Sequence, residues 1–236
     1  MFKTFQKVSN LVYNNTCMNK ISLNKPTLVM LYGFPGSGKT YFARQLADHI
    51  SAAHISADKF RFELFERPKY DKQENDIISH LMEYMAEEFL KAGVSVVYDS
   101  NAMRLSERRL LRDLARRCHG EQVLIWTQTD QATSFARLSV RDRRKSDDKY
   151  AVAYTKAEFE SYIGHMQNPQ DEDYVVISGK HTFSTQLSAV IKKFYNLGLI
   201  SADSATNTVI KPGLVNLIPN PSQGRVDLSR RNIAIR

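Results

Sequence analysis

Hydrophobic positions along this chain follow two alternating rhythms. Thr27–Tyr32, His54–Ser56, Val94–Asp99, Gln122–Thr127 and Tyr174–Ser178 are short apolar runs that read as buried strands. Between them lie segments with helical spacing. From Asp71 to Ala92, Ile77, Leu81, Met85 and Phe89 recur every fourth residue, and Ile78, Met82 and Leu90 widen the stripe. From Ser106 to His119, Leu110, Leu111, Leu114, Ala115 and Cys118 form a second stripe, with Arg108, Arg109, Arg112, Arg116 and Arg117 on the outer face. Strands alternating with amphipathic helices predict an α/β fold, its parallel sheet covered on both faces. The arginine-rich face reads either as a solvated helix surface or as a phosphate-binding one.

The two ends break the rhythm. Residues 1–26 hold no acidic residue, and Phe2, Phe5, Val8 and Val12 fit a short amphipathic helix docked on the domain or lying on a membrane. After Phe194 the chain turns small and polar (SADSATNT), then proline-bearing, and it finishes RVDLSRRNIAIR. There Val226/Leu228 and Ile233/Ile235 alternate as a half-buried strand does. The expected organisation is a basic extension over 1–26, a domain over 27–196 and a basic, partly strand-like tail over 197–236.

Composition adds bounds. A chain of 236 residues holds one large domain with appendages, or two small ones. Its 42% hydrophobic and 25% charged content is that of a soluble globular protein. The net charge of +8 favours anionic partners, a class that includes ATP, nucleic acid and acidic membranes alike. No apolar run approaches the roughly 20 residues of a membrane span, and the first residues lack the apolar block of a signal peptide. Cys17 and Cys118 have no metal-type spacing. A reducing cytoplasm and no structural metal are the expectations.

One segment changes the picture from fold to chemistry. Residues 33 to 40 read GFPGSGKT directly after the first apolar run, the spacing G-x-x-x-x-G-K-[ST]. Bare backbone at Gly33, Gly36 and Gly38 lets successive N–H groups surround a phosphate, and the following helix aims its N-terminal dipole at the same point. Lys39 reaches the β- and γ-phosphates, and the Thr40 hydroxyl ligates Mg²⁺. Gly33, Pro35, Gly36, Ser37, Gly38, Lys39 and Thr40 are therefore the candidate nucleotide-binding set.

Three further sites fall near strand ends, where functional groups gather in a parallel sheet. Asp58, in ISADKFR, is placed to orient an acceptor hydroxyl and take its proton, or to cap the next helix. Arg61 lies one turn on, placed for an anionic group of the acceptor. Asp99 closes the strand VSVVYD as a Walker-B aspartate does, a candidate for Mg²⁺ or the acceptor, and a polar loop with Asn101 and Arg104 follows. Arg137 and Arg141 stand four apart, which on a helix puts both on one face, suited to a lid closing over the triphosphate. A solvated basic helix is the alternative for that pair.

The order GFPGSGKT, SADKFR, VVYDSNAMRLSERR, RLSVR resembles the zeta-toxin/polynucleotide-kinase group of P-loop kinases, and in particular the 5′-kinase domain of phage polynucleotide kinase. That group carries D-x-x-R after its second strand, D-[ST]-N followed by E-R-R after its third, and R-x-x-x-R in its lid. Asp58 and Arg61, Asp99 with Asn101 and Glu107-Arg108-Arg109, and Arg137 with Arg141 match those positions. The stretch Met166–Asp173 also looks like a segment of the group. The resemblance implies a three-layer P-loop kinase fold with a five-stranded parallel sheet in the order 2-3-1-4-5 and an arginine-bearing lid. It also implies ATP and Mg²⁺ as cofactors, Asp58 as base, Arg61 and Asn101 facing the acceptor, and Lys39, Arg137 and Arg141 on phosphates. The group phosphorylates nucleic-acid ends, sugar-nucleotides, antibiotics and other alcohols. The expected acceptor is thus a nucleic-acid 5′-OH, towards which the net positive charge tips the balance, with a small-molecule hydroxyl as in a zeta-toxin-like kinase as the alternative. An ATP-gated binding module, its tail strand Val226–Ile235 pairing with a partner or a second copy, is the non-enzymatic alternative.

Overall fold

In the computed structural model, residues 20–141, 149–150 and 152–201 are described. The elements are β1 (Thr27–Tyr32), α1 (Lys39–His49), β2 (Ala53–Ser56), α2 (Ala57–Leu64), α3 (Lys72–Lys91), β3 (Val96–Asn101), α4 (Leu105–Arg117), β4 (Glu121–Gln128), α5 (Gln131–Ser139), α6 (Lys156–Gly164), β5 (Tyr174–Ser178) and α7 (Phe183–Asn196). The five strands form one sheet in the order β2-β3-β1-β4-β5, and all four pairings are parallel. This is the α/β architecture and strand order that the sequence resemblance implies.

β1 is buried along its whole length, and its alternate residues serve two cores. Val29 and Leu31 pack with Phe42, Leu46, Val190 and Phe194, under α1 and α7. Leu28, Met30 and Tyr32 pack with Ile78, Met82, Leu90, Leu111 and Leu114, under α3 and α4. The two-residue period of the strand thus joins three layers.

The helix phase differs from expectation by one residue. In α3 the buried line is Ile78, Met82, Ala86 and Leu90, while Ile77 is 43% exposed. Ala86 is fully buried within that line. β3 begins at Val96 rather than Val94 because the Val94 amide still closes the α3 terminus, donating to Phe89 O at 2.9 Å. The packed unit also reaches past 27–196. Ile21, Leu199 and Ile200 are buried in the core, and the Asn24 amide donates to Leu199 O. The expected helix at Phe2–Val12 and the expected strand at Val226–Ile235 lie outside the described residues. Among the described residues no helix is long and apolar enough to cross a membrane.

Candidate active site

The loop between β1 and α1 is built from backbone that other residues resist. Gly36 (φ 82°) and Gly38 (φ 100°) both adopt the left-handed region. A Cβ on Gly36 would stand 2.3 Å from Ser134 O in α5, so only glycine lets α5 lie against the loop. Lys39 turns its ammonium back into this loop and donates to Gly33 O and Phe34 O, both at 2.8 Å. Burial pulls its pKa down to about 8, against the opposing pull of Asp99. Ser37 is fully buried, Pro35 half-buried and Thr40 exposed at the mouth.

Thr40 Oγ1 donates to Asp99 Oδ1 at 3.1 Å, and His54 Nε2 meets Asp99 Oδ2 at 3.0 Å. The hydroxyl and the buried carboxylate make a hard oxygen pair at the mouth of the loop, the donor chemistry a magnesium ion takes. Two residues on, Asn101 has two tasks. Its Oδ1 accepts from the Gly33 amide at 3.2 Å, and its Nδ2 donates to the Tyr162 hydroxyl at 3.0 Å. The β1–β3 register shifts between Met30 and Leu31, which places Asn101 opposite Leu31 and beside the loop.

Asp58 stands in the first turn of α2, after the N-cap Ser56. Burial, reinforced by the nearby Asp99 charge, pushes its pKa up to about 6, although Arg61, Lys39 and Arg141 pull the other way. Those same charges place Asp58, Asp99, Lys39 and Arg141 in one electrostatic neighbourhood.

Other sequence expectations change in the structure. Arg61 is 6% exposed and is held by Glu74 (3.3 Å) and Asn75 (2.7 Å), with its guanidinium 4.6 Å from the Tyr70 ring centre. Its fork is therefore engaged on α3. Arg137 donates to Gly179 O at 2.9 Å and tethers α5 to the turn after β5. α5 ends at Ser139, with Val140 as its C-cap, so Arg141 lies beyond the helix and the shared helix face does not form. Arg104 is exposed, and its amide donates to Glu107 Oε2 at 3.1 Å.

The largest correction concerns the arginine face of α4. Arg108 is 1% exposed and grips the buried Glu172 through Nε (2.8 Å) and Nη2 (2.7 Å), while its Nη1 donates to Ala102 O at 2.9 Å. Arg112 binds the same carboxylate. Close by, the Gln167 amide donates to Met103 O, and the Tyr32 hydroxyl donates to Asn168 Oδ1 at 2.7 Å. The 166–173 segment is thereby strapped across the carboxyl ends of β1 and β3. Beside the strap, a cavity of about 430 Å³ opens along Tyr32, Phe34, Trp126, Asn168 and Lys180.

His54, Tyr162 and Glu172 escaped the sequence reading. His54 had a weak signal, two residues before Ser56 on the same strand face. Glu172 lies in a segment noticed only by resemblance, and nothing local marks Tyr162.

The AAA_33 profile, an AAA domain, matches residues 28–169, more than half of the chain. The chain belongs to the AAA_33 family. Its AAA_33 domain is P-loop kinase-like in fold. No curated protein sequence matches it. Kti12 of Chaetomium thermophilum in complex with ADP-AlF3 is 16% identical, with a TM-score of 0.57 over 75% of this chain and 100% of that one. A sugar kinase from Janibacter sp. HTCC2649 is 16% identical, with a TM-score of 0.51 over 79% and 99%. A chain of the Pnkp1/Rnl/Hen1 RNA repair complex is 18% identical, with a TM-score of 0.51 over 64% of this chain and 46% of that one. At these identities the likeness is one of fold.

Proposed function

We propose that this AAA_33 chain is a phosphotransferase that moves the γ-phosphate of ATP to an alcohol. The observation that carries the reading is the Asp58 carboxyl, its pKa raised by burial to about 6, in one electrostatic neighbourhood with Lys39 of the phosphate loop, which suits it to accept a proton. Asp58 takes the proton of the acceptor hydroxyl as its oxygen bonds to the γ-phosphorus. The bond from that phosphorus to the bridging oxygen breaks, and ADP leaves. Gly33 to Thr40 bind the phosphates. Lys39 gives up its carbonyl contacts for phosphate oxygens. Arg137 and Arg141 are proposed to answer the charge that develops in transfer, Arg137 first releasing Gly179. Thr40 and Asp99 would hold Mg²⁺, which supplies neutralisation of phosphate charge. The cavity beside Trp126 suits the nucleoside end.

For the acceptor, a nucleic-acid 5′-OH has the support of the ordered motifs shared with polynucleotide kinases and of the net charge of +8. A small-molecule hydroxyl, as in a sugar, a sugar-nucleotide or an antibiotic, is favoured by a different observation. Arg61, Arg108 and Arg112 are engaged on Glu74 and Glu172, so the crevice offers the acceptor less positive charge than the sequence suggests. Asn101 and Arg104 complete the proposed acceptor side, in a cytoplasmic setting. Incubation with γ-labelled ATP and a panel of 5′-OH oligonucleotides, sugar-nucleotides, sugars and aminoglycosides tests the reading. Label is expected on one class, and label released only as inorganic phosphate rejects transfer to an alcohol.

Lys39→Ala is expected to weaken nucleotide binding at least tenfold, since it removes the one ammonium of the loop. Isothermal titration with ATP measures it. A Lys39→Ala protein that binds ATP as the wild type does, yet loses transfer as fully as Asp58→Ala does, would move Lys39 from binding to chemistry. Equal retention of function in Asp58→Ala would instead favour a nucleotide-gated binding module.

A further inference from the structure

We propose that His54 is a positioning residue for the metal-facing carboxylate. The inference rests on the reading that Asp99 and Thr40 hold Mg²⁺. In the parallel register Ser56 pairs with Asp99 and His54 with Val97, so His54 and Asp99 lie diagonally on one face of the sheet. From there the imidazole reaches Asp99 Oδ2 at 3.0 Å, while Thr40 Oγ1 occupies Oδ1 at 3.1 Å. The carboxylate side chain is only 5% exposed and the imidazole 22%. Each oxygen of Asp99 is thus tied to a different element, one to the start of α1 and the other to β2.

Two ties on one carboxylate fix both its χ1 and the plane of its oxygens. With the tie to β2 cut, the side chain can swing about its remaining bond to Thr40, and Oδ2 loses its partner on β2 while staying buried. Groups that hold a metal-binding carboxylate typically change metal affinity by about 10- to 100-fold when removed. His54 touches neither nucleotide nor acceptor in this scheme, and it transfers no proton. It acts through Asp99.

The test measures metal binding directly. Mn²⁺ replaces Mg²⁺ as a paramagnetic probe, and its binding to the ATP-loaded full chain is titrated by electron paramagnetic resonance for wild type, His54→Ala and His54→Gln. The Mg²⁺ dependence of ATP affinity is read in parallel by calorimetry. His54→Ala is expected to bind Mn²⁺ about tenfold or more weakly, and His54→Gln, whose amide N–H donates from nearly the same place, is expected to recover most of the loss. Unchanged Mn²⁺ affinity in His54→Ala overturns the proposal. So does equal loss in both variants accompanied by lower melting temperatures in metal-free buffer, which marks His54 as a packing residue. If wild-type ATP binding is indifferent to Mg²⁺ and Mn²⁺, the metal reading itself falls, a result distinct from the other two.

Discussion

Asp58→Asn is expected to cut phosphoryl transfer by about 10²- to 10⁴-fold while leaving ATP affinity nearly unchanged, and to make the protein more stable at neutral pH. Both halves follow from one cause. Burial and the Asp99 charge raise the Asp58 pKa from 3.8 to about 6. The ionised form is therefore disfavoured by the fold, and the proton is accepted more readily than by an ordinary carboxylate. In linkage terms, a folded pKa above the unfolded one means that ionised Asp58 opposes folding. The penalty is full above pH 6 and fades as pH falls from 6 towards 3.8, where both states hold the proton. Each displaced pKa unit corresponds to about 1.4 kcal/mol, and allowance for the partial exposure of Asp58 leaves a gain of about 1–2 kcal/mol in the amide. Wild-type kcat/KM is expected to fall below about pH 6, and denaturant melts of the two proteins should converge near pH 4. A variant with wild-type transfer, or a wild-type rate flat from pH 5 to 8, would remove Asp58 from the base role.

Glu172→Ala is expected to cost about 3–5 kcal/mol of stability, because it leaves the Arg108 guanidinium buried without its counter-charge. For a domain of this size that is a fall of roughly 10 °C or more in Tm. Arg108 is 1% exposed, so neither water nor salt replaces the lost carboxylate. The loss should extend to function. The 166–173 strap carries Asn168 to the Tyr32 hydroxyl at the end of β1, and a loosened strap alters the cavity beside the phosphate loop. Glu172→Gln, which keeps an acceptor, should lose less. The double variant Arg108→Met/Glu172→Leu should recover much of the stability, as apolar replacements of buried ion pairs do. Thermal and urea melts of the three proteins decide it. A loss under about 1 kcal/mol in Glu172→Ala would show that the strap is held by its backbone contacts alone.

The contrast between these two sites marks what a one-dimensional reading reaches. Asp58 was visible because its position depends on local things, an apolar strand ending and a helix beginning after it. The Arg108 environment was not. Helical spacing put Arg108 on an outer face, and only the partner contributed by Glu172, 64 residues away, makes burial of that charge tolerable. The α5 terminus failed for a similar reason. Four-residue spacing puts Arg137 and Arg141 on one face only if the helix continues, and it stops at Ser139.

By itself the sequence determined the five strands, the amphipathic helices on either side of β3, the burial of β1 and the phosphate loop. Those depend on side-chain periodicity and on glycine's freedom to take positive φ, properties carried by neighbouring residues. The tertiary structure alone decided which charges are spent and which are free to act. It paired Arg61 with Glu74, Arg108 and Arg112 with Glu172, and His54 with Asp99. A charge's energy depends on what stands within a few ångströms of it in space, and no spacing along the chain encodes that.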